Sequence, residues 1–87
     1  MNPNTISAID GEQKYQQRRW AEHQHTVGEW LLVVEKCLND AMAQWAVGNE
    51  KEALDEIRQV AASAASAMDD HGAVERTHFA DGISRLP

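Results

Sequence analysis

The sequence predicts an all-α fold: an antiparallel hairpin of two long helices, a shorter N-terminal helix, and assembly into a homo-oligomer. Three observations carry this. Apolar or small residues recur at Val27, Leu31, Val34, Leu38, Ala41 and Trp45, a 4-3-4-3-4 spacing that follows the helical period and not strand alternation. Ala53, Ile57, Val60, Ala64 and Ala67 form a second stripe of the same kind. Between the stripes stands Gly48–Asn49, a glycine suited to the left-handed conformation that closes a helix and an asparagine suited to open the next.

The elements follow in order. A first helix is predicted over about residues 7–22, where "SAID" offers a capping box and Gly11 costs about 1 kcal/mol relative to alanine. On it Ile9, Trp20 and His23 share one face, Tyr15 and Arg19 share another, and Lys14 and Arg18 lie four apart beside the latter. The second helix, 27–47, opens on Thr26, with Glu29 placed three residues on to complete a capping box. The third, 50–71, opens on Asn49, with Glu52 three residues later, and stops before Gly72. Each of these two spans about 30 Å, and a two-residue joint forces them to fold back on each other. Residue i then lies near residue 97 − i. In the tail, 73–87, Phe79, Ile83 and Leu86 have helical spacing interrupted by Gly82, which suggests a docking segment or a frayed end.

The two long helices differ in what they can bury. The third is rich in alanine and serine ("VAASAASAM") and admits close approach of another backbone. The second carries Trp30, Leu31, Leu32, Val33, Val34, Leu38, Met42 and Trp45, and its first half is apolar almost all round. Such a helix is usually covered on several sides. One hairpin partner is too little, so the N-terminal helix, the tail and a second subunit are expected to share the task.

Bulk properties narrow the function. Eighty-seven residues make a single domain, 1–87, with 43% hydrophobic and 25% charged residues, a globular balance. The net charge of −6 argues against a duplex nucleic-acid binder, whose affinity rests on cations. The single cysteine, Cys37, excludes an intrachain disulfide and reads as a small buried thiol in a reducing compartment. The N-terminus lacks a charged start followed by an apolar block, so no signal peptide is expected. The longest strictly apolar run, "WLLVV", falls far short of the roughly 20 residues of a membrane span. A cytoplasmic location is expected.

Against this acidic background, Glu12–His25 ("EQKYQQRRWAEHQH") stands out. It holds three of the eight Lys and Arg residues but two of the fourteen acids, together with Tyr15, Trp20, His23 and His25. Arginine offers a planar fork for phosphate, and an aromatic face can stack on a base. Tyr15 and Arg19, with Lys14 or Arg18 beside them, are therefore candidates for binding a nucleotide. The plainer reading is a solvated helix face, with Arg18 paired to Glu22 and Trp20 packed on Ile9. On the hairpin, Glu35 and Asn39 lie four apart, and Glu52, Glu56 and Gln59 form a 4-3 series. Facing one another across the seam, they would supply hard oxygen ligands for magnesium. The plainer reading is again a solvated surface.

Weaker signals complete the survey. His23 and His25, two apart, point nearly opposite ways on a helix; a metal pair there requires extended backbone and further ligands. His71 beside Gly72 suits a helix C-terminus, and His78 has no evident partner. Ser63 and Ser66 sit mid-helix with no companion that would make either a nucleophile.

"EWLLVVEKCLNDA" followed by "EALDEIRQVAASAASAM" resembles the central hairpin of the MazG-like all-α nucleotide pyrophosphohydrolases, in particular short phage and prophage proteins of that kind. The likeness covers about residues 26–70, and "YQQRRW" is similar to the segment that precedes the hairpin in such proteins. The family pattern is E-E-x-x-E on one helix and E-x-x-D on the next; these carboxylates hold magnesium, which activates water and clamps a nucleoside triphosphate. Here the first motif falls on Glu35, Lys36 and Asn39, and the second on Glu56 and Gln59. Only the first carboxylate of each survives. An ammonium at position 36 repels a dication, and Asn and Gln bring oxygen without charge. Two carboxylates should hold Mg2+ poorly, while Lys36 adds a cation for phosphate. The resemblance thus implies a retained fold with weakened chemistry. The first reading is a non-catalytic oligomer that binds a phosphate-bearing small molecule, a nucleotide or a nucleotide signal, as a phage accessory or anti-defence protein would to sequester it. The others are an interaction module that inhibits a host protein, and a magnesium-dependent nucleoside triphosphate pyrophosphohydrolase.

Overall fold

The computed structural model describes residues 1–21 and 23–76. It contains three helices, α1 (Pro3–Arg19), α2 (Val27–Ala46) and α3 (Glu50–His71), and among the described residues no strand. None of these helices is long and apolar enough to cross a membrane. Glu22, His78 and the apolar trio Phe79, Ile83 and Leu86 lie outside the described residues.

The N-terminal helix differs from its expected limits of 7–22 at both ends. It starts at Pro3 because Asn2 caps it, the side chain accepting from the Asn4 N–H at 2.8 Å, and because proline fits the first helical position, where no N–H is needed. It stops at Arg19, with Trp20 as the C-cap. Trp20 and His23 therefore leave the helical face they were expected to share with Ile9. Gly11 does not interrupt α1; its surroundings are open, with nothing within 4 Å of where a Cβ would lie.

The punctuation of α2 follows the sequence. Thr26 Oγ1 accepts from the Glu29 N–H at 3.1 Å and Glu29 Oε1 accepts from the Thr26 N–H at 2.8 Å, so the capping box is closed on both sides. Gly48, at φ 83°, takes the left-handed conformation after α2. Asn49 departs from expectation: its side chain does not cap α3 but donates to Gln44 Oε1 at 2.9 Å, tying the joint back to α2. Gly72, at φ 115°, ends α3.

α3 is the central element. It packs against α2 and against α1, whereas α1 and α2 make no close backbone approach. The two interfaces are chemically unlike. Between α2 and α3 the buried side chains are mostly small, Ala41 and Ala53, with Trp30 at one end donating from Nε1 to Asp70 Oδ2 at 3.3 Å. Between α1 and α3 the contact is polar. Gln13 Nε2 donates to Ser66 Oγ and to Asp69 Oδ2, each at 3.1 Å, Gln16 Nε2 donates to Ser63 Oγ at 3.2 Å, and Arg58 Nε donates to Glu12 Oε1 at 3.0 Å. Ser63 and Ser66 thus receive glutamine side chains.

The core of one chain is thin. Among the described residues the buried apolar ones are Trp30, Ala41, Ala53 and Ala62, a single large side chain among four. The predicted stripe of α2 is largely bare: Ala41 is buried and Val34 half-buried, while Val27, Leu31, Leu38 and Trp45 are exposed, the last at 64%. Met42, and Ile57 and Met68 of α3, are exposed as well. What α2 turns inward is instead the neighbouring strip, Trp30, Val33, Cys37 and Ala41.

Candidate functional cleft

Because α1 leans on α3 and not on α2, a gap remains between α1 and α2, and it forms a cleft of about 460 Å3. α1 contributes Glu12, Tyr15, Gln16 and Arg19 to its wall, with Trp20 at the end; α2 contributes Val33, Lys36, Cys37 and Asp40; α3 contributes Glu56 and Gln59. The α1 positions fall at i, i+3, i+4 and i+7, as do those on α2, so each helix presents one face to the cleft.

Three of the five residues expected to bind a phosphate-bearing ligand meet here: Tyr15, Arg19 and Lys36. Lys14 does not line the cleft and lies on the outer side of α1, where its ammonium pairs with Asp10 at 3.0 Å. Arg18 borders a neighbouring hollow that it shares with Arg19, Trp20, Ala21 and His23. Of the four residues expected to hold magnesium, Glu56 and Gln59 line the cleft and touch, Gln59 Nε2 donating to Glu56 Oε1 at 2.8 Å. Glu35 and Asn39 are exposed on α2 and do not line it. At 100° per residue they lie roughly 110–150° around α2 from the strip that faces the cleft. Glu52 borders other hollows, beside Asp55 in each.

Most charges in the cleft are already matched. Lys36 Nζ pairs with Asp40 Oδ2 at 2.9 Å, and this hydrogen bond raises the ammonium pKa above its ordinary value. Glu12, nearly enclosed, is met by Arg58, which also holds Asp55 at 2.7 Å. Burial works against the Arg58 charge, and the hydrogen bonds to Asp55 and Glu12 overcome it, so its pKa rises. Arg19 makes no ion pair with a described residue. Cys37 donates weakly to Gln59 Oε1 at 4.0 Å, and burial followed by the nearby Glu56 charge pushes its thiol pKa up. This is the environment of an inert thiol.

One group in the wall is unsatisfied. Gln16 is buried, its Nε2 donates to Ser63, and its Oε1 has no partner. An orphaned buried acceptor costs about 1–3 kcal/mol. Hydropathy gives no hint of this residue; the only signal is that Gln13 and Gln16 share the three-residue spacing of Ser63 and Ser66.

Beyond Trp20 a second cleft of about 270 Å3 lies beneath the link between α1 and α2, lined by Trp20, His23, His25, Trp30 and the acids Asp69 and Asp70, with Gln16 shared between the two. His25 is wedged edge-on among aromatic rings, with centroids 5.1 Å from Trp20, 4.6 Å from Trp30 and 4.5 Å from His23. Its carbonyl accepts from His71 Nε2 at 2.9 Å, which ties the link to the end of α3.

Fold and site together define a small all-α protein, with three helices among the described residues and an amphiphilic cleft between the first and second. Comparison with protein-family models, with curated proteins and with solved structures yields no match.

Proposed function

We propose that this protein binds a phosphate-bearing small molecule, a nucleotide or nucleotide signal, in the cleft between α1 and α2, and does so without catalysis. The observation that carries the reading is the meeting in one cleft of Tyr15, Arg19 and the orphaned Gln16 Oε1 from α1 with Lys36 from α2. Each has a task that fits such a ligand. Tyr15, half exposed, offers a ring for a base to stack on. Arg19 offers a fork to phosphate, and Lys36 joins it when phosphate displaces Asp40. Gln16 Oε1, sealed as it stands, accepts from a base amine or a sugar hydroxyl once its amide turns toward the cleft. The matched charges around them keep the acidic wall from repelling an anion. With Glu35 and Asn39 turned away from Glu56 and Gln59, the arrangement favours binding over a magnesium-dependent pyrophosphohydrolase, and a MazG-like ancestor that kept its helices and lost its chemistry accounts for both. As a phage accessory, such a binder would sequester a host messenger.

The test is calorimetry against a panel of linear and cyclic nucleotides, with and without Mg2+. One nucleotide class should bind, and Arg19→Ala should weaken it about tenfold or more, the loss of one charge-assisted contact. Absence of heat from every nucleotide overturns the reading, and magnesium-dependent release of pyrophosphate replaces it with the enzyme.

A separate observation supports self-association. The contacts Trp30–Asp70 and Cys37–Gln59 support reading α2 and α3 as an antiparallel hairpin near the expected register. One side of that hairpin carries α1; the other carries bare Leu31, Leu38, Met42, Trp45, Ile57 and Met68. Their exposed area is on the order of the 800 Å2 per partner that a stable interface buries. The 4-3 spacing on α2 is that of a helix-bundle seam, and a second copy supplies the same stripe in return. The occupant is therefore a second copy of this chain. Sedimentation of the purified protein tests this: a monomer at micromolar concentration leaves a host protein as the occupant.

A further inference from the structure

We propose that His23, His25 and Glu29 form a binding site for a zinc-class divalent transition metal, a clip that fastens the link between α1 and α2 to the start of α2. One ligand atom from each lies within 4.8 Å of the others. Tetrahedral zinc with bonds near 2.0–2.2 Å wants its ligands about 3.4 Å apart, a closure within reach of side-chain rotation. Two histidines two apart meet only on non-helical backbone, and the link provides it: residues 23–26 lie between the helices with no helical turn. Glu29 is already oriented, because its Oε1 accepts from the Thr26 N–H while its Oε2 stands 3.4 Å from His23 Nε2.

His25 supplies an independent observation. Both of its ring nitrogens are sealed from solvent and neither has a hydrogen-bond partner. An imidazole whose two nitrogens make no hydrogen bond, beside a second imidazole and a carboxylate, is disposed to take a metal ion. The donor set selects the ion. Two imidazole nitrogens and one carboxylate suit zinc, or cobalt in its place, and leave a coordination position for water. Magnesium, which prefers six hard oxygens, is excluded. Trp20 and Trp30 flank His25 and shield the site on one side. With one large apolar side chain buried among the described residues, this chain is of the kind that gains most from such a fastening.

The experiment uses the untagged full-length chain after dialysis against a chelator. Zinc titrated by calorimetry should bind once per protomer and raise the melting temperature; Mg2+ at the same concentration should do neither. His23→Ala, His25→Ala and Glu29→Gln should each weaken zinc at least tenfold, and the glutamine keeps an oxygen for the Thr26 N–H, so α2 remains capped. Circular dichroism checks each variant, and cobalt serves where one fails to fold. Cobalt bound to the native chain should give the intense visible bands of four-coordination. Weak six-coordinate bands alone, absence of a stoichiometric zinc site, or undiminished zinc binding by a folded His23→Ala/His25→Ala chain would overturn the proposal.

Discussion

The α2–α3 pair has two unlike sides. On one, α1 lies across α3 through glutamine, serine and an Arg58–Glu12 pair, and leaves a cleft against α2. On the other stands a bare apolar surface of Leu31, Leu38, Met42, Trp45, Ile57 and Met68. The usual expectation is reversed: the side that is covered within the chain is polar, and the side rich in large apolar residues is open. Intramolecular docking here rests on directional bonds, each worth about 0.5–1.5 kcal/mol net, while the strongest non-directional driving force remains unspent. Under the proposed reading, one side of such a molecule serves selectivity and the other association.

Four experiments break or sharpen this contrast. The largest effect is expected on the bare side. Leu38→Glu with Met42→Glu puts two carboxylates on the proposed association surface; if a second copy covers it, sedimentation should show self-association weakened more than a hundredfold. Should both variant and native chain be monomers of equal stability, the two sides are energetically alike. Next, Trp30→Ala removes the one large apolar side chain buried among the described residues and should cost about 3–5 kcal/mol in urea unfolding, the usual range for a buried aromatic. A loss under 1 kcal/mol would mean that association and not the internal core holds the fold. Third, Glu12→Ala leaves Arg58 with Asp55 alone, removes its bond to α1 and should cost about 1–2 kcal/mol. The same substitution should leave sedimentation unchanged if the two sides are independent. The smallest effect concerns the entry to α2. The Thr26 backbone N–H, first among several causes, lowers the pKa of Glu29. A depressed carboxylate stabilises the fold fully above its unfolded value of about 4.3, and that contribution disappears as the pH falls through the lower folded value. Thermal melts between pH 6 and pH 3 should show this slope in the native chain and a shallower one in Glu29→Gln.

Much of this arrangement was legible in the sequence, and the failures have physical causes. Thr26, Glu29, Gly48 and Gly72 announced helix ends because each solves a local backbone problem that does not depend on the rest of the chain. The first helix begins earlier than "SAID" predicts because Asn2–Pro3 is an equally local start signal that lies upstream of it. Periodicity found the stripe through Leu31 and Leu38, but a period reports that a face is apolar and not what covers it; α3 took the adjacent strip through Trp30 and Cys37. The same ambiguity separated Glu35 from Glu56 and brought Lys36 and Asp40 to the cleft. Attachment of α1 through Gln13, Gln16, Ser63 and Ser66 was invisible to hydropathy, since the interface contains almost nothing hydropathy measures. The histidine group could be framed from sequence only as a condition, extended backbone plus another ligand, and the link after Trp20 with Glu29 behind it meets that condition.

Ala62 and Ser63 are fully enclosed in α3, and they are among the smallest side chains in the protein. Proximity of the neighbouring helices, not bulk, is what these positions supply. Tolerance to mutation along α3 should therefore run opposite to size: Ile57 and Met68 accept many replacements in an isolated protomer, while a single added methylene at residue 62 or 63 wedges neighbours apart. In a lineage of such proteins, drift would be slowest where the chemistry looks plainest.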